Sequence, residues 1–315
     1  MSSRALMHFI TGKGGVGKST YAASLAAQLA QKDPAHRVLL VDVQGSGYAL
    51  ESACIERVQQ TPLRSARTGN LWGCRILPFD TFKEYFSVLL AMGNTDTAIA
   101  QITSAFRDRV VDLVVGNSAI SAFIQACPGL EPAVLLGKLE YESKAGRAPG
   151  TREAWTHIVV DAPATGHALM LFRSTFALLN VFSAGVVFKQ AGEIRSFVTD
   201  PDRFVVNLVS VPEELPVAES VELKAGLADL GVRVQRAVLN RSPRDESDDL
   251  HTHEAKNQAL QRELQHERDL LADRKRFREE FLRMHAECKI FEVSEFISAN
   301  QNEVSQKWLT QTHLI

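Results

Sequence analysis

The chain has 315 residues, of which 45% are hydrophobic and 23% are charged, and its formal net charge at pH 7 is −2. This length and composition are those of a globular protein with one large domain or two ordinary ones. The nearly neutral charge provides no basis for non-specific binding to nucleic acid or acidic membranes, so no nucleic-acid partner is expected.

The first predicted elements are a strand, a glycine-rich loop, a helix and a second strand. Apolar ALMHFIT is predicted as a buried strand, KSTYAASLAAQLAQK as a helix, and HRVLLVDV as a second buried strand. A strand, a helix and a strand in this order make a β-α-β unit. This unit predicts a parallel sheet that is covered on both faces.

The rest of the chain continues the alternation of strands and helices. A crossover helix is predicted at residues 217–231, and further strands are predicted at residues 74–79, 156–162, 203–210, 232–240 and 288–293. This spacing predicts a doubly wound α/β fold with a mostly parallel sheet.

Other stretches interrupt this alternation. Residues 81–147 and 172–197 contain no convincing strand, and we expect them to form a helical subdomain inserted into a single domain that spans residues 1–315. Residues 251–286 carry many charges of both signs. This pattern favours a solvated surface helix, and a partner-binding helix is the alternative.

The strongest motif is TGKGGVGKST at residues 11–20, which matches the phosphate-loop pattern G-x-x-x-x-G-K-[ST]. Glycines let backbone N–H groups point at phosphates, and the following helix adds the positive end of its dipole. Lys18 is predicted to bind the β- and γ-phosphates and Ser19 to ligate Mg²⁺. The predicted nucleotide-binding residues are Gly12, Lys13, Gly14, Gly15, Val16, Gly17, Lys18, Ser19, Thr20 and Asn240.

Polar residues at the ends of other strands are further candidates for this site. Asp161 follows the buried strand in HIVVDAPATGH, where a second Mg²⁺ ligand is expected. Asp42 also ends a strand, and it either contacts the magnesium shell through water or caps the next turn. Asn240 ends the strand VRVQRAVLN, and it either binds the base edge or forms a turn.

Two segments resemble known families. GKGGVGKST, with its additional Lys13, resembles the deviant phosphate loop of the MinD/ParA and nitrogenase iron-protein class of P-loop ATPases. VVDAPATGHAL and residues 199–220 resemble the ArsA/GET ATPases within that class. The resemblance covers about residues 6–300 and is most specific at the two loops.

The ArsA/GET resemblance implies a Mg²⁺-ATP-dependent ATPase that works as a dimer of identical or homologous chains. It implies that Lys13 reaches the phosphates of the other subunit and acts there like an arginine finger. ATP would hold the dimer together and hydrolysis would release it. The helical layer would then bind a hydrophobic protein client or a partner, and a membrane partner is also compatible with the resemblance.

The sequence departs from the family pattern at several positions. Gln44 stands where the family usually has an aspartate that positions the attacking water, so Gln44 or Asp42 would orient the water here. Residues 241–287 contain no cysteine, so the zinc-binding C-x-x-C of the targeting branch is not expected. Met92 is the only methionine of residues 81–147, and the four cysteines are scattered. These features give little support for a methionine-rich groove or for arsenite binding.

The scattered cysteines favour free thiols in a reducing compartment. The opening MSSRALMHFIT lacks a signal-peptide pattern, and no apolar run is long enough to span a membrane. We therefore expect a cytoplasmic protein without an integral membrane segment.

Two other functions share the phosphate loop. A weakly active or inactive ATP-binding partner subunit is favoured by Gln44. A MinD/ParA-like positioning ATPase would need a basic DNA-binding face or a C-terminal amphipathic membrane helix. The segment SANQNEVSQKWLTQTHLI has only Lys307 as a basic residue and a weak apolar face.

Overall fold

The computed structural model describes residues 4–43, 46–55, 61–76, 129–243 and 258–294. Its strands in chain order are β1 (Leu6–Gly12), β2 (Val38–Asp42), β3 (Leu63–Arg64), β4 (Leu71–Arg75), β5 (His157–Ala164), β6 (Phe204–Ser210), β7 (Val234–Ser242) and β8 (Lys289–Ser294). Its helices are α1 (Lys18–Lys32), α2 (Tyr48–Ser52), α3 (Leu130–Ala145), α4 (Thr165–Val181), α5 (Gly185–Val198), α6 (Glu214–Ala228) and α7 (Gln258–Met284).

Within the described residues the strands form one sheet in the order β3-β4-β2-β5-β1-β6-β7-β8. The short β3 runs antiparallel to β4, and the other neighbouring pairs are parallel. This confirms the predicted doubly wound, mostly parallel α/β fold. Strand β1 lies between β5 and β6, so the carboxyl ends of these three strands meet at the loop that follows β1.

The two faces of the sheet carry separate apolar cores. On one face Phe9 and Phe204 of the sheet pack against Phe172 of α4, and α5 and α6 cover the same core. On the other face Ile10 packs with Tyr21 and its neighbours on α1. Phe9 and Ile10 are adjacent in β1 and point to opposite faces, as expected for a strand covered on both sides.

Helix α2 and strand β3 were not predicted, and β4 has different bounds from its prediction. This strand was predicted at residues 74–79 but begins at Leu71, and Gly73 lies inside it. A Cβ at Gly73 would lie 2.5 Å from Leu50 Cδ2 and 2.6 Å from Ile55 Cδ1. Glycine usually weakens a strand, yet here the close approach of α2 and the residues after it requires a glycine.

The crossover helix α6 begins at Glu214, earlier than the predicted residue 217, and ends at Ala228. Pro216 lies in its first turn, where a missing N–H costs no helical hydrogen bond. Within the helical stretch predicted at 172–197, the structure has α4 and α5 separated by a short break. The predicted helices of residues 81–128 lie outside the described residues, whereas α3 occupies the end of the 81–147 stretch.

Helix α7 occupies most of the charged stretch predicted at 251–286. Phe281 near its end is fully buried against Val217 of α6, whereas most of the preceding described turns are exposed or half-buried. No helix within the described residues is both long and apolar enough to cross a membrane.

Candidate functional site

The phosphate loop leaves β1 at Gly12 and enters α1 at Lys18. Gly12 has φ +151°, and a Cβ there would lie 2.0 Å from the Val209 carbonyl oxygen of β6. Gly17 has φ +96°, and a Cβ there would lie 2.5 Å from Nδ2 of Asn240. Both positions therefore need glycine, because other residues would clash and would be strained in this left-handed conformation.

Lys18 lies inside the loop and is only 8% exposed. Its Nζ donates a hydrogen bond to the carbonyl oxygen of Lys13 at 2.9 Å, so the loop curls around the ammonium group. Burial lowers the pKa of Lys18, and the nearby Asp161 carboxylate opposes this shift. A partly desolvated cation at the start of α1 is suited to bind an anion such as a phosphate.

Ser19 and Asp161 lie together beside Lys18. Asp161 belongs to β5, is 3% exposed, and lies close enough to the Ser19 hydroxyl for that group to lower its pKa. Burial raises the pKa of Asp161 to about 6, and the Asp42 charge adds to the rise, whereas Ser19 and Lys18 lower it. The structure thus brings together the two residues predicted to hold a metal.

The donor chemistry of this pair fits Mg²⁺. A carboxylate and a hydroxyl oxygen are hard ligands of the kind that Mg²⁺ prefers. Burial of the Asp161 carboxylate outweighs the opposing effects of Ser19 and Lys18 on its pKa. Within the described ranges no group of three or more His, Cys, Asp or Glu side chains could hold a metal ion.

Asp42 is the register partner of Asp161 on the adjacent strand β2, and it is fully buried. Its Oδ2 accepts a hydrogen bond from the Gly47 N–H at 2.7 Å, and Nε of Arg75 lies 3.8 Å from the same oxygen. Gly47 directly precedes α2. This geometry supports the capping alternative for Asp42 and leaves its charge close enough to influence Asp161.

Asn240 contacts the phosphate loop directly. Its Nδ2 donates to the Val16 carbonyl oxygen at 2.9 Å, and its Oδ1 accepts from the Arg241 N–H at 2.8 Å. Arg241 has φ +54°, an uncommon conformation for a residue other than glycine. The side-chain amide of Asn240 is thus engaged with the backbone on both sides, an anchoring role that neither sequence-based alternative included.

Lys13 binds a carboxylate of its own chain. Its Nζ lies 2.5 Å from Oε1 of Glu219 on α6, and Oε2 of the same carboxylate accepts a hydrogen bond from Thr165 Oγ1 at 2.9 Å. Glu219 and Thr165 were not predicted as site residues. The order of the elements could have indicated Glu219, since α6 follows β6 and its first turns must lie near the loop after β1.

The remaining predicted residues are placed as follows. Gly14 and Gly15 are exposed, and no atom of the described residues lies within 4 Å of a Cβ built on either. Thr20 lies half-buried in the first turn of α1. Gln44 lies outside the described residues, although the N–H of the preceding Val43 donates to the Asp161 carbonyl oxygen at 3.3 Å.

A glycine loop between a central strand and a helix, with a buried lysine at the helix start, defines the phosphate-loop class of nucleotide-binding proteins. Residues 6–183 match the family model described as anion-transporting ATPase. Because this match covers more than half of the chain, the chain belongs to the anion-transporting (ArsA) ATPase family, as the sequence resemblance indicated.

Several relatives are similar over most of this chain. ATPase BagA of Mycobacterium tuberculosis is 27% identical over 239 residues, which cover 75% of this chain and 65% of the relative. ATPase GET3 of Eremothecium gossypii is 22% identical over 270 residues, covering 77% and 73%. The arsenical pump-driving ATPase of Acidiphilium multivorum is 28% identical over 239 residues, covering 74% and 34%. The chain thus spans less than two thirds of the length of BagA and about one third of that pump ATPase.

Proposed function

We propose that this protein is a Mg²⁺-ATP-dependent ATPase that works as a nucleotide-gated dimer. The observation that carries the proposal is the position of the buried Lys18 ammonium beside Ser19 and the buried Asp161 carboxylate. A buried cation next to hard oxygen ligands is the arrangement that binds the β- and γ-phosphates together with a metal. Membership of the ATPase family supports the same reaction.

In the proposed reaction water attacks the γ-phosphorus of ATP and the bond to the β–γ bridging oxygen breaks, which yields ADP and phosphate. Ser19 and Asp161 would hold Mg²⁺, which neutralises phosphate charge when it is bound. The phosphate-loop N–H groups and Lys18 would position the phosphates. Gln44 is the proposed residue that orients the water, because Oδ2 of Asp42 already accepts the Gly47 N–H.

Lys13 is proposed to act across the dimer interface. Its side chain is 29% exposed and lies at the rim of the loop, whereas Lys18 fills the interior. A flexible rim lysine can reach a phosphate of a second chain, where it would stabilise charge that develops during hydrolysis. The dimer partner is proposed to be an identical or homologous chain, in the cytoplasm.

The helical layer is the proposed site for a hydrophobic protein client. Met170 and Val181 of α4 are 66% and 72% exposed, and Phe188 of α5 is also exposed. Exposed apolar side chains that share one layer are typical of binding surfaces. A labelled apolar helical peptide should bind the wild type more tightly than a Met170→Asp, Val181→Asp double variant. Leu270→Asp on α7 is the control, because Leu270 is exposed but lies on a different helix.

Substitution of the two loop lysines tests the ATPase proposal. Lys18→Ala should weaken both ATP binding and turnover, whereas Lys13→Ala should spare most binding and reduce turnover by about 10²-fold or more. Lys32→Ala, at the opposite end of α1, is the matched control and should change neither. Turnover by Lys13→Ala at the wild-type rate would contradict the trans role of Lys13, and a wild type that binds no ATP would contradict the whole proposal.

One further measurement distinguishes an active ATPase from an ATP-binding partner subunit. Gln44 stands where the family usually has an aspartate that positions the attacking water, and this difference favours the partner-subunit alternative. A protein that binds ATP but turns it over only when mixed with an active homologue would be such a subunit. Turnover by the purified chain alone would exclude this role.

A further inference from the structure

We propose that Glu219 is a positioning residue that holds Lys13 within its own chain and couples it to Thr165 at the start of α4. This inference rests on the proposed ATPase function. It assigns a role to a carboxylate on α6, which lies outside both the phosphate loop and the metal-binding pair.

The geometry joins three separate segments through one carboxylate. Oε1 of Glu219 lies 2.5 Å from Nζ of Lys13, and Oε2 accepts the hydrogen bond from Thr165 Oγ1 at 2.9 Å. Thr165 is the first residue of α4, directly after β5, which carries Asp161. Lys13 at the rim of the phosphate loop and Thr165 after β5 therefore contact the same carboxylate.

The Lys13–Glu219 ion pair is partly exposed to solvent. The Lys13 and Glu219 side chains are 29% and 34% exposed, so solvent screens their attraction only in part. The hydrogen bond from Lys13 lowers the pKa of Glu219, so this carboxylate is ionised at neutral pH. Any phosphate that recruits Lys13 must compete with a carboxylate that is already in place.

The consequence is an exchange of partners at Glu219. When Lys13 moves to a phosphate of another chain, Glu219 loses this counter-charge and retains the hydrogen bond from the Thr165 hydroxyl. The start of α4 then lies beside a carboxylate that has lost its cation, so movement of Lys13 is communicated to α4. Glu219 thereby links the engagement of the loop lysine to the helical layer.

Substitution by glutamine tests the role of this charge. Glu219→Gln retains the side-chain shape but removes the anion, so the dimer induced by a Mg²⁺ complex of a non-hydrolysable ATP analogue should form at about two- to fivefold lower protein concentration. The matched control is Glu222→Gln, an exposed carboxylate one turn further along α6. Both variants change the net charge equally, and sedimentation measures the dimerisation midpoint. High salt should reduce the difference between Glu219→Gln and the wild type.

A double-mutant comparison distinguishes positioning from a general structural effect. In a Lys13→Ala background, Glu219→Gln should have no effect on dimerisation, because its role acts through Lys13. An equal effect in both backgrounds, or Glu219→Gln behaviour that matches Glu222→Gln, would overturn the proposal. A wild type that remains monomeric with the analogue would instead contradict the proposed dimeric function.

A measurement without nucleotide tests the pair itself. In ¹³C NMR titrations of the glutamate carboxyl groups, Lys13→Ala should raise the pKa of Glu219 towards its ordinary value, because its main hydrogen-bond donor is removed. An unchanged Glu219 titration would overturn the proposal whatever the enzyme does with ATP.

Discussion

Asn240 at the end of β7 donates a hydrogen bond from Nδ2 to the carbonyl oxygen of Val16, at a distance of 2.9 Å. The phosphate loop is therefore held by a strand that is not a neighbour of β1 in the sheet. This bond satisfies a buried loop carbonyl and places the amide group against Gly17. The ordered shape of the loop thus depends on a residue far from it in sequence.

Replacement of Asn240 by alanine should loosen the phosphate loop. The Val16 carbonyl would lose its partner, so we expect a loss of about 1 kcal/mol in the free energy of unfolding and several-fold weaker ATP binding. Asn70→Ala is the matched control, because Asn70 Nδ2 donates to the Ala30 carbonyl oxygen at 2.8 Å, away from the loop. Urea denaturation and calorimetric titration with ATP measure the two effects. Equal weakening of ATP binding in both variants would contradict the anchoring role.

Gly12 and Gly14 should respond differently to alanine. A Cβ at Gly12 would lie 2.0 Å from the Val209 carbonyl oxygen, whereas in the part of the chain that the structure describes no atom lies within 4 Å of one at Gly14. Gly12→Ala should therefore destabilise the fold by about 2–4 kcal/mol, through overpacking and backbone strain. Gly14→Ala should change stability by about 0.5 kcal/mol or less. Thermal and chemical denaturation of both variants provide the comparison, and similar stabilities would show that the loop can rearrange.

Asp161→Asn should increase stability at neutral pH while it removes a proposed Mg²⁺ ligand. Burial raises the pKa of Asp161 from 3.8 to about 6, so the folded protein binds the proton more tightly than the unfolded chain. Stability therefore falls as the pH rises from about 4 to 6 and stays reduced above this window. Asparagine removes this cost, which should stabilise the protein by about 1–3 kcal/mol at pH 7.5.

The pH dependence and a control variant distinguish the cost of the buried Asp161 charge from a general change in stability. The stability gain of Asp161→Asn should shrink when the pH is lowered from about 7.5 to about 5, because the wild-type carboxyl group takes up its proton. Asp202→Asn, at an exposed position, should show no such trend. Mg²⁺-dependent ATP turnover should be lost in Asp161→Asn alone. A destabilised Asp161→Asn protein at neutral pH would refute the assignment.

His8 should make the fold sensitive to acid. It is buried in β1, stacks on His157, and neither of its ring nitrogens has a hydrogen-bond partner among the described residues. Burial lowers its pKa well below 6.5, and Arg236 and His157 add to the shift. Below pH 6.5 His8 therefore binds a proton in the unfolded chain but not in the folded protein, so stability falls as the pH falls.

Replacement of His8 by leucine measures this cost. His8→Leu should stabilise the protein by about 1–2 kcal/mol at neutral pH, because an unsatisfied polar ring is removed. The gain should grow by up to about 1.4 kcal/mol for each pH unit below 6.5. His266→Leu, on the exposed part of α7, is the control and should show neither effect. Parallel wild-type and His8→Leu stability curves between about pH 5 and 7 would contradict the explanation.

The sequence by itself determined the elements whose signals are local. Helix α1 has the predicted bounds Lys18–Lys32, and β5 to β8 overlap the predicted strands closely. Buried parallel strands are nearly continuous apolar runs, and the phosphate loop follows a fixed spacing of glycines and a lysine. For the same reason Lys18, Ser19 and Asp161 were identifiable, because each belongs to a short motif next to a predicted strand.

Only the tertiary structure decided the elements and contacts without a local signature. Gly73 lies inside β4 because Leu50 and Ile55 approach its backbone, which no periodicity in the strand itself indicates. Lys13 and Glu219 are 206 positions apart, and Asn240 and Val16 are 224 apart. Their meeting depends on the order of strands in the sheet, which places β6 beside β1 and β7 next to β6. Since strand order arises from packing over the whole chain, the partners of Lys13 and Asn240 became visible only in the folded molecule.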